Sequence, residues 1–268
     1  MPRPPRPISF ILAACEHGSM IVSRHDYQIA DNAQGYGVGF QLLESSQYEA
    51  ADVSLLLTVL DCRRRYFGDG VVAIDGGANL GVHTLEWARH MHGWGQVLAF
   101  EAQEMVFYAL AGNIALNNCM NARARLTALG DACGEILVPQ PDYFTPASFG
   151  SLELRPTGSA EPAVVATGSS PVPMVTLDSL AFERLDLVKL DVEGMELEVL
   201  NGALECIERH HPVLFIEILK IGAAALEAFA ANQGYRLFQI GINALAIHSS
   251  DPTLRHFSLQ SGGLTFSA

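Results

Sequence analysis

Two hydrophobic rhythms alternate along the chain. Short, almost wholly apolar runs (VVAID from Val71, QVLAFEA from Gln96, LDLVKLD from Leu185, VLFIEI from Val213) are separated by stretches whose apolar residues recur three and four apart. Such runs predict strands buried on both faces, and the helical spacing between them predicts crossover helices, so the sheet should be mostly parallel. Helices are predicted for Glu49 to Tyr66, Val82 to Met91, Glu104 to Asn117, 194–208 and 223–233. The helix from Glu49 carries Val53, Leu56, Leu57 and Leu60 on one face and stops before Gly68. Two further strands are predicted at Arg125 to Leu129 and Glu135 to Val138. YRLFQIGI and ALAIHSS, joined by a turn at Asn243, must run antiparallel. The fold class is therefore α/β, with an antiparallel C-terminal edge strand and helices on both faces.

The pattern is weaker at two places. Residues 18–43 alternate and contain several glycines, which predicts a small β-hairpin region; residues 1–48 are read as an N-terminal arm plus that region, and 49–268 as one main domain. Residues 139–173 are rich in Pro, Gly, Ser and Thr, and are expected to be a lid or a disordered insertion. At the start, MPRPPRPISFILAAC has the outline of a lipoprotein cleavage box ending at Cys15. Its apolar run is short and follows several prolines, so the reading adopted is an arm running into a first strand of a cytoplasmic protein.

Composition narrows the partners. A net charge of −13 disfavours nucleic acid and anionic lipid, and no apolar run is long enough to span a membrane. The 5 cysteines are widely spaced with no CxxC, which argues against a disulfide framework or a structural zinc. Oligomeric state is unreadable.

The chemistry concentrates after VVAID. Asp75-Gly76-Gly77-Ala78-Asn79-Leu80-Gly81 is a glycine turn without the dinucleotide spacing and without a P-loop lysine. An aspartate beside a pyrophosphate is a like charge, costing about 1 kcal/mol or more at an intermediate dielectric. A cationic, phosphate-free ligand reverses that sign, and S-adenosylmethionine fits, with its sulfonium, ammonium and ribose diol. On this reading Asp75, Gly76, Gly77, Asn79 and Gly81 form the cofactor turn. Glu101 takes the ribose hydroxyls, Asp131 meets the adenine amino group, and Glu49 contacts the methionine end.

DGGANLGVHT, AFEAQ with NIALNN, VTLDSL, and above all LVKLDVEGMELEVLNGA followed by HPVLFIEI resemble the FkbM-type class I methyltransferases, over roughly Glu49 to Ile218. The resemblance implies a single Rossmann-like domain with a seven-stranded sheet. It also implies transfer of a methyl group from S-adenosylmethionine to a hydroxyl of a small metabolite or glycan, such as a sugar or polyketide. Gly76 departs mildly from the family's turn. Candidate catalytic residues are Asp191, Lys189, Glu193 and His83. Lys189 and Asp191 lie two apart on a strand, so they can pair, which would make Asp191 an orienting group rather than a base. Asp191 and Glu217 at neighbouring strand ends offer a site for a hard cation such as Mg²⁺. Phe149-Gly150-Ser151 is a candidate lid. The alternatives are a cofactor-binding regulatory protein that has lost catalysis, and an NAD-linked oxidoreductase.

Overall fold

A computed structural model describes residues 7–29, 35–154, 166–260 and 263–266. A hairpin of β1 (Phe10–Cys15) and β2 (Gly18–Ser23) is followed by the short pair β3 (Gln28–Ile29) and β4 (Gly35–Tyr36). Helices α1 (Val38–Ser45) and α2 (Ala50–Phe67) lead into β5 (Val71–Gly76), α3 (Val82–His90), β6 (Gly95–Glu101), α4 (Glu104–Leu116) and β7 (Ala122–Leu126). A three-stranded sheet comprises β8 (Ala128–Leu129), β9 (Gly134–Pro141) and β10 (Ala166–Val175). The chain continues through β11 (Leu187–Leu190), α5 (Glu196–Asn201), α6 (Leu204–His210), β12 (Val213–Glu217), α7 (Ala223–Asn232), β13 (Tyr235–Ile240) and β14 (Asn243–His248). A last pair, β15 (Phe257–Gln260) and β16 (Gly263–Phe266), closes it.

Seven strands form the main sheet in the order β13-β14-β12-β11-β5-β6-β7. The predicted runs are buried for the predicted reason: alternate residues of each strand serve opposite faces. Val71, Ala73, Leu187, Val213 and Phe215 pack on α2 and α3, whereas Val72, Ile74, Val188, Leu190, Leu214 and Ile216 pack on α5 to α7. Met20, Val22, Val38 and Leu42 join the first of these clusters, so the segment before α2 is built into the same core.

Several boundaries differ from the sequence expectation. The antiparallel strand is β14, which lies one place in from the edge, paired with β12 on one side and β13 on the other. The returning arm of the hairpin reaches the sheet and leaves β13 outermost. The third parallel strand is Ala122–Leu126 rather than Arg125 to Leu129. Ala128 and Leu129 leave the main sheet to pair with Met174 and Val175. The hairpin region starts at Phe10, ahead of residue 18, and Val38–Ser45 is helical. Leu12–Cys15 of the LAAC segment lie in β1; the MPRPPR arm is outside the described residues.

The Pro-rich stretch is not structureless. β10 pairs along β9 from Met174 opposite Gly134 to Ala166 opposite Pro141. Pro171 and Pro173 are two apart, so both rings take positions on the same side of the strand, and the ladder uses the intervening residues. Residues 155–165 of the expected insertion lie outside the described ones. The single helix expected at 194–208 is broken. Gly202 passes the carbonyl of Gly130 so closely that a Cβ would lie 2.2 Å from it, and Asp178 accepts the N–H groups of Glu205 (3.1 Å) and Cys206 (2.8 Å), starting α6 afresh.

Candidate functional site

Parallel strands end on one rim of the sheet, and β14, running the other way, begins there. In space the rim reads Asn243, Glu217, Asp191, Gly77, Glu101, Thr127. A cavity of about 340 Å³ opens along it, and all six of these residues line it. Its walls are completed by Gly37 and Val38 at the start of α1, by Tyr48 and Glu49 before α2, and by Ser148 to Leu152. In open α/β sheets ligands bind in the crevice at this end of the strands.

Glu101 is the most firmly held acid of the rim. It is 6% exposed, and its carboxylate accepts the N–H of Asn79 (2.9 Å) on Oε2 and that of Gln103 (2.8 Å) on Oε1. Burial pushes its pKa up to about 7 against the pull of those N–H groups. Each oxygen keeps a lone pair for a ligand hydroxyl. Asn79 adopts a left-handed conformation, φ 49°, that turns its N–H toward Glu101.

The glycine turn is built mainly for the protein itself. Of the turn residues named above, Gly77 and Asn79 line the cavity; Asp75, Gly76 and Gly81 do not. A Cβ on Gly77 would lie 1.7 Å from the carbonyl oxygen of Asp191, so the glycine lets two strand-end loops cross. A Cβ on Gly81 would lie 2.5 Å from Leu110, and one on Gly76 3.0 Å from Leu129 and Leu190. Asp75 is fully buried behind the cavity wall. It accepts the Thr84 hydroxyl (2.6 Å) and faces the Lys189 ammonium at 3.6 Å, an internal counter-ion that does not line the cavity. Asp131 is exposed and does not line the cavity, because β7 ends three residues earlier than expected and Thr127 and Ala128 take that place on the rim.

Lys189 stands at the centre of the charge pattern. It is 5% exposed, lines the cavity, and donates to Asp191 at 3.4 Å. Burial disfavours its charge, but Asp191, Asp75 and Glu49 together outweigh that and raise its pKa. Glu49, in a left-handed conformation at the N-cap of α2 (φ 46°), lines the cavity, and burial lifts it to about 7. Glu193 is also left-handed (φ 59°) and ion-paired to Lys220; burial and then Asp191 hold it near 7. Glu196 does not line the cavity. It accepts the N–H groups of Val192 (2.9 Å) and Gly194 (3.2 Å) and thereby shapes the loop that presents Asp191 and Glu193.

Glu217 differs from the other rim acids. Its Oε2 is buried without a hydrogen-bond partner, and burial, then Asp191, Glu193 and Glu196, lift its pKa to about 8 against Lys220. Nothing supports the cation site expected between Asp191 and Glu217: Asp191 is engaged by Lys189, and among the described residues no group of three or more His, Cys, Asp or Glu is placed to hold a metal ion. His83 lines the cavity with Nε2 unpartnered, and burial followed by Lys189 keeps the imidazole neutral, which makes it a weak base.

The roof carries residues that periodicity could not reveal. Asp26 is buried and accepts the N–H groups of Gly39 (2.8 Å) and Phe149 (2.9 Å), stapling α1 to the 148–152 loop. Gln103 donates to the carbonyl of Phe149 at 2.8 Å from below. Gly150, Ser151 and Leu152 thus cover the cavity, while Phe149 itself packs on Tyr143. The signal for Asp26 was an acid in a glycine-containing stretch, which is indistinguishable from a turn residue.

Comparison with known proteins gives a family. The model of the methyltransferase FkbM domain matches residues 75–237, more than half the chain. Methyltransferase sdnD of Sordaria araneosa is 29% identical over 157 residues, covering 49% of this chain and 60% of that protein. Among solved structures, the methyltransferase FkbM of Methylobacillus flagellatus KT is 15% identical with a TM-score of 0.47, covering 78% of this chain and 58% of that one. The N-terminal domain of human METTL16, solved in complex with SAH, is 16% identical with a TM-score of 0.43 over 84% of this chain and 89% of that one. The chain thus spans under two thirds of the length of the first two proteins. No helix among the described residues is long and apolar enough to cross a membrane.

Proposed function

The chain belongs to the FkbM methyltransferase family, and from that premise we propose that it transfers a methyl group from S-adenosylmethionine to a hydroxyl oxygen of a small metabolite or glycan. The observation that carries this reading is Glu101: a buried carboxyl at the end of the second parallel strand, held toward the cavity by two backbone N–H groups, with lone pairs free for a ribose diol. Asn79 and Gly77 shape the turn beside it, and Thr127 and Ala128 take the adenine side of the cavity. Glu49 and Asp191 supply negative charge for the cofactor's ammonium and sulfonium, and Lys189 keeps Asp191 in place. When bound, the cofactor supplies an electrophilic methyl group. The acceptor half of the rim then runs from Asp191 to Glu217 and Asn243, flanked by the exposed side chains of Leu219 and Ile242.

Calorimetry with S-adenosylhomocysteine tests the cofactor reading: micromolar binding is expected, and no binding by folded protein would contradict it. Release of S-adenosylhomocysteine with a panel of sugars, glycolipids and polyketide alcohols tests the acceptor class. Cofactor binding with no turnover on any acceptor would favour the regulatory alternative.

A further inference from the structure

Three carboxyls stand at the acceptor end of the cavity, and they are not equivalent. Asp191 is already engaged, at 3.4 Å from the Lys189 ammonium. Glu193, beside it, is held by Lys220, which also lies 3.8 Å from Glu153 of the roof segment. Glu217 lines the same cavity one strand further along the rim, and its Oε2 has no partner. Its strand neighbour Asn243 donates its side-chain N–H to Asp52 at 2.9 Å and so leaves Glu217 alone. An unpaired buried carboxyl costs folding free energy unless the occupied site uses it.

Resting on the methyltransferase reading above, we propose that Glu217, and not Asp191, takes the proton of the acceptor hydroxyl. As the acceptor oxygen forms its bond to the methyl carbon, the carbon–sulfur bond breaks and its electron pair returns to sulfur, leaving a neutral thioether. The O–H bond gives its proton to Oε2 of Glu217, which releases it to water at the cavity mouth. Asp191, fixed by Lys189, orients the reacting groups and balances the sulfonium charge. The raised pKa of Glu217, caused by burial and by Asp191, Glu193 and Glu196, suits a group that must hold a proton after transfer.

Sinefungin has a carbon in place of the cofactor's sulfur and an amine in place of the transferred methyl, so its ammonium reports the group facing the methyl position, without turnover. Its affinity is compared with that of S-adenosylhomocysteine in the wild type, Glu217→Gln and Asp191→Asn. The expected result is that sinefungin binds wild type about tenfold tighter, and that Glu217→Gln brings the ratio close to one while S-adenosylhomocysteine affinity moves less than about threefold. With an acceptor from the panel screen, Glu217→Gln is expected to lower kcat about a hundredfold with KM little changed. A wild-type ratio in Glu217→Gln, an equal loss for both ligands, or a ratio that depends on Asp191 alone would overturn the proposal. Failure of wild type to bind S-adenosylhomocysteine would instead overturn the cofactor reading on which it rests.

Discussion

Glu101 and Glu217 each end an apolar strand of the same sheet, and both face the same cavity. From the sequence they look alike. In the structure each oxygen of Glu101 accepts one backbone N–H, while Glu217 keeps a buried oxygen with no partner. The cause is the chain that follows each strand. After β6 the backbone turns at once into α4 and aims the N–H of Gln103 back at the carboxylate, and the glycine turn adds that of Asn79. After β12 the chain runs outward through exposed Leu219 before α7 begins at Ala223, and no donor among the described residues reaches Oε2 of Glu217. A carboxyl anchored by one N–H on each oxygen has fixed geometry and suits recognition. A bare one suits accepting a proton.

Substitutions can break that comparison, and the largest effect is expected at a third acid. Asp75→Ala should destabilise the fold by about 3 kcal/mol in denaturant unfolding, because it leaves Lys189 buried beside fewer counter-charges. Unchanged stability with lost cofactor binding would restore Asp75 as a ligand contact. Next, Glu101→Gln should weaken S-adenosylhomocysteine about a hundredfold by calorimetry, since charge-assisted hydrogen bonds to a diol are each worth about 1.5–3 kcal/mol. A loss as large in Glu217→Gln would erase the difference between the two carboxylates.

The glycine turn and the KLDVEG segment could be placed on the rim from the sequence because the loops after parallel strands all open on one edge of the sheet. What could not be read was which way each acid faces. Asp75 and Glu101 are both acids near strand ends, but β11 lies beside β5 with Lys189 opposite Asp75, and that pairing turns Asp75 inward. Asp131 was misplaced because β7 ends at Leu126, a boundary set by tertiary pairing of Ala128 and Leu129 with β10. The glycines were legible as special but not for their reason, which is the crossing of Gly77 over Asp191 and the packing of Gly81 on Leu110. The roof was unreadable because Asp26 acts only through chain segments more than a hundred residues apart.

Smaller effects follow from the raised carboxyls. Glu49 and Glu101 have pKa values near 7 in the free protein and must ionise to hold a cationic, diol-bearing ligand. Affinity for S-adenosylhomocysteine should therefore rise about tenfold from pH 6.5 to pH 7.5, with proton release visible in buffers of different ionisation enthalpy. A flat profile would mean that neither acid meets the ligand. The same shifts set the stability of the free protein. An acid whose pKa is raised on folding binds its proton more tightly in the native state, so the contribution of these acids to stability is greatest below about 4.5 and is lost as pH rises to the folded values near 7 for Glu49, Glu101 and Glu193 and near 8 for Glu217. Glu217→Gln should accordingly raise the Tm of the ligand-free protein by about 2 °C at pH 8.5 and leave it unchanged at pH 4.5.

The most direct test of the divided rim is a crystal structure of the protein with S-adenosylhomocysteine. The ribose hydroxyls are expected within hydrogen-bond distance of the Glu101 carboxylate, with the sulfur turned toward Asp191 and the space in front of Glu217 left open for an acceptor. A ribose seated on Glu217, or a ligand bound away from Glu101, would contradict the account.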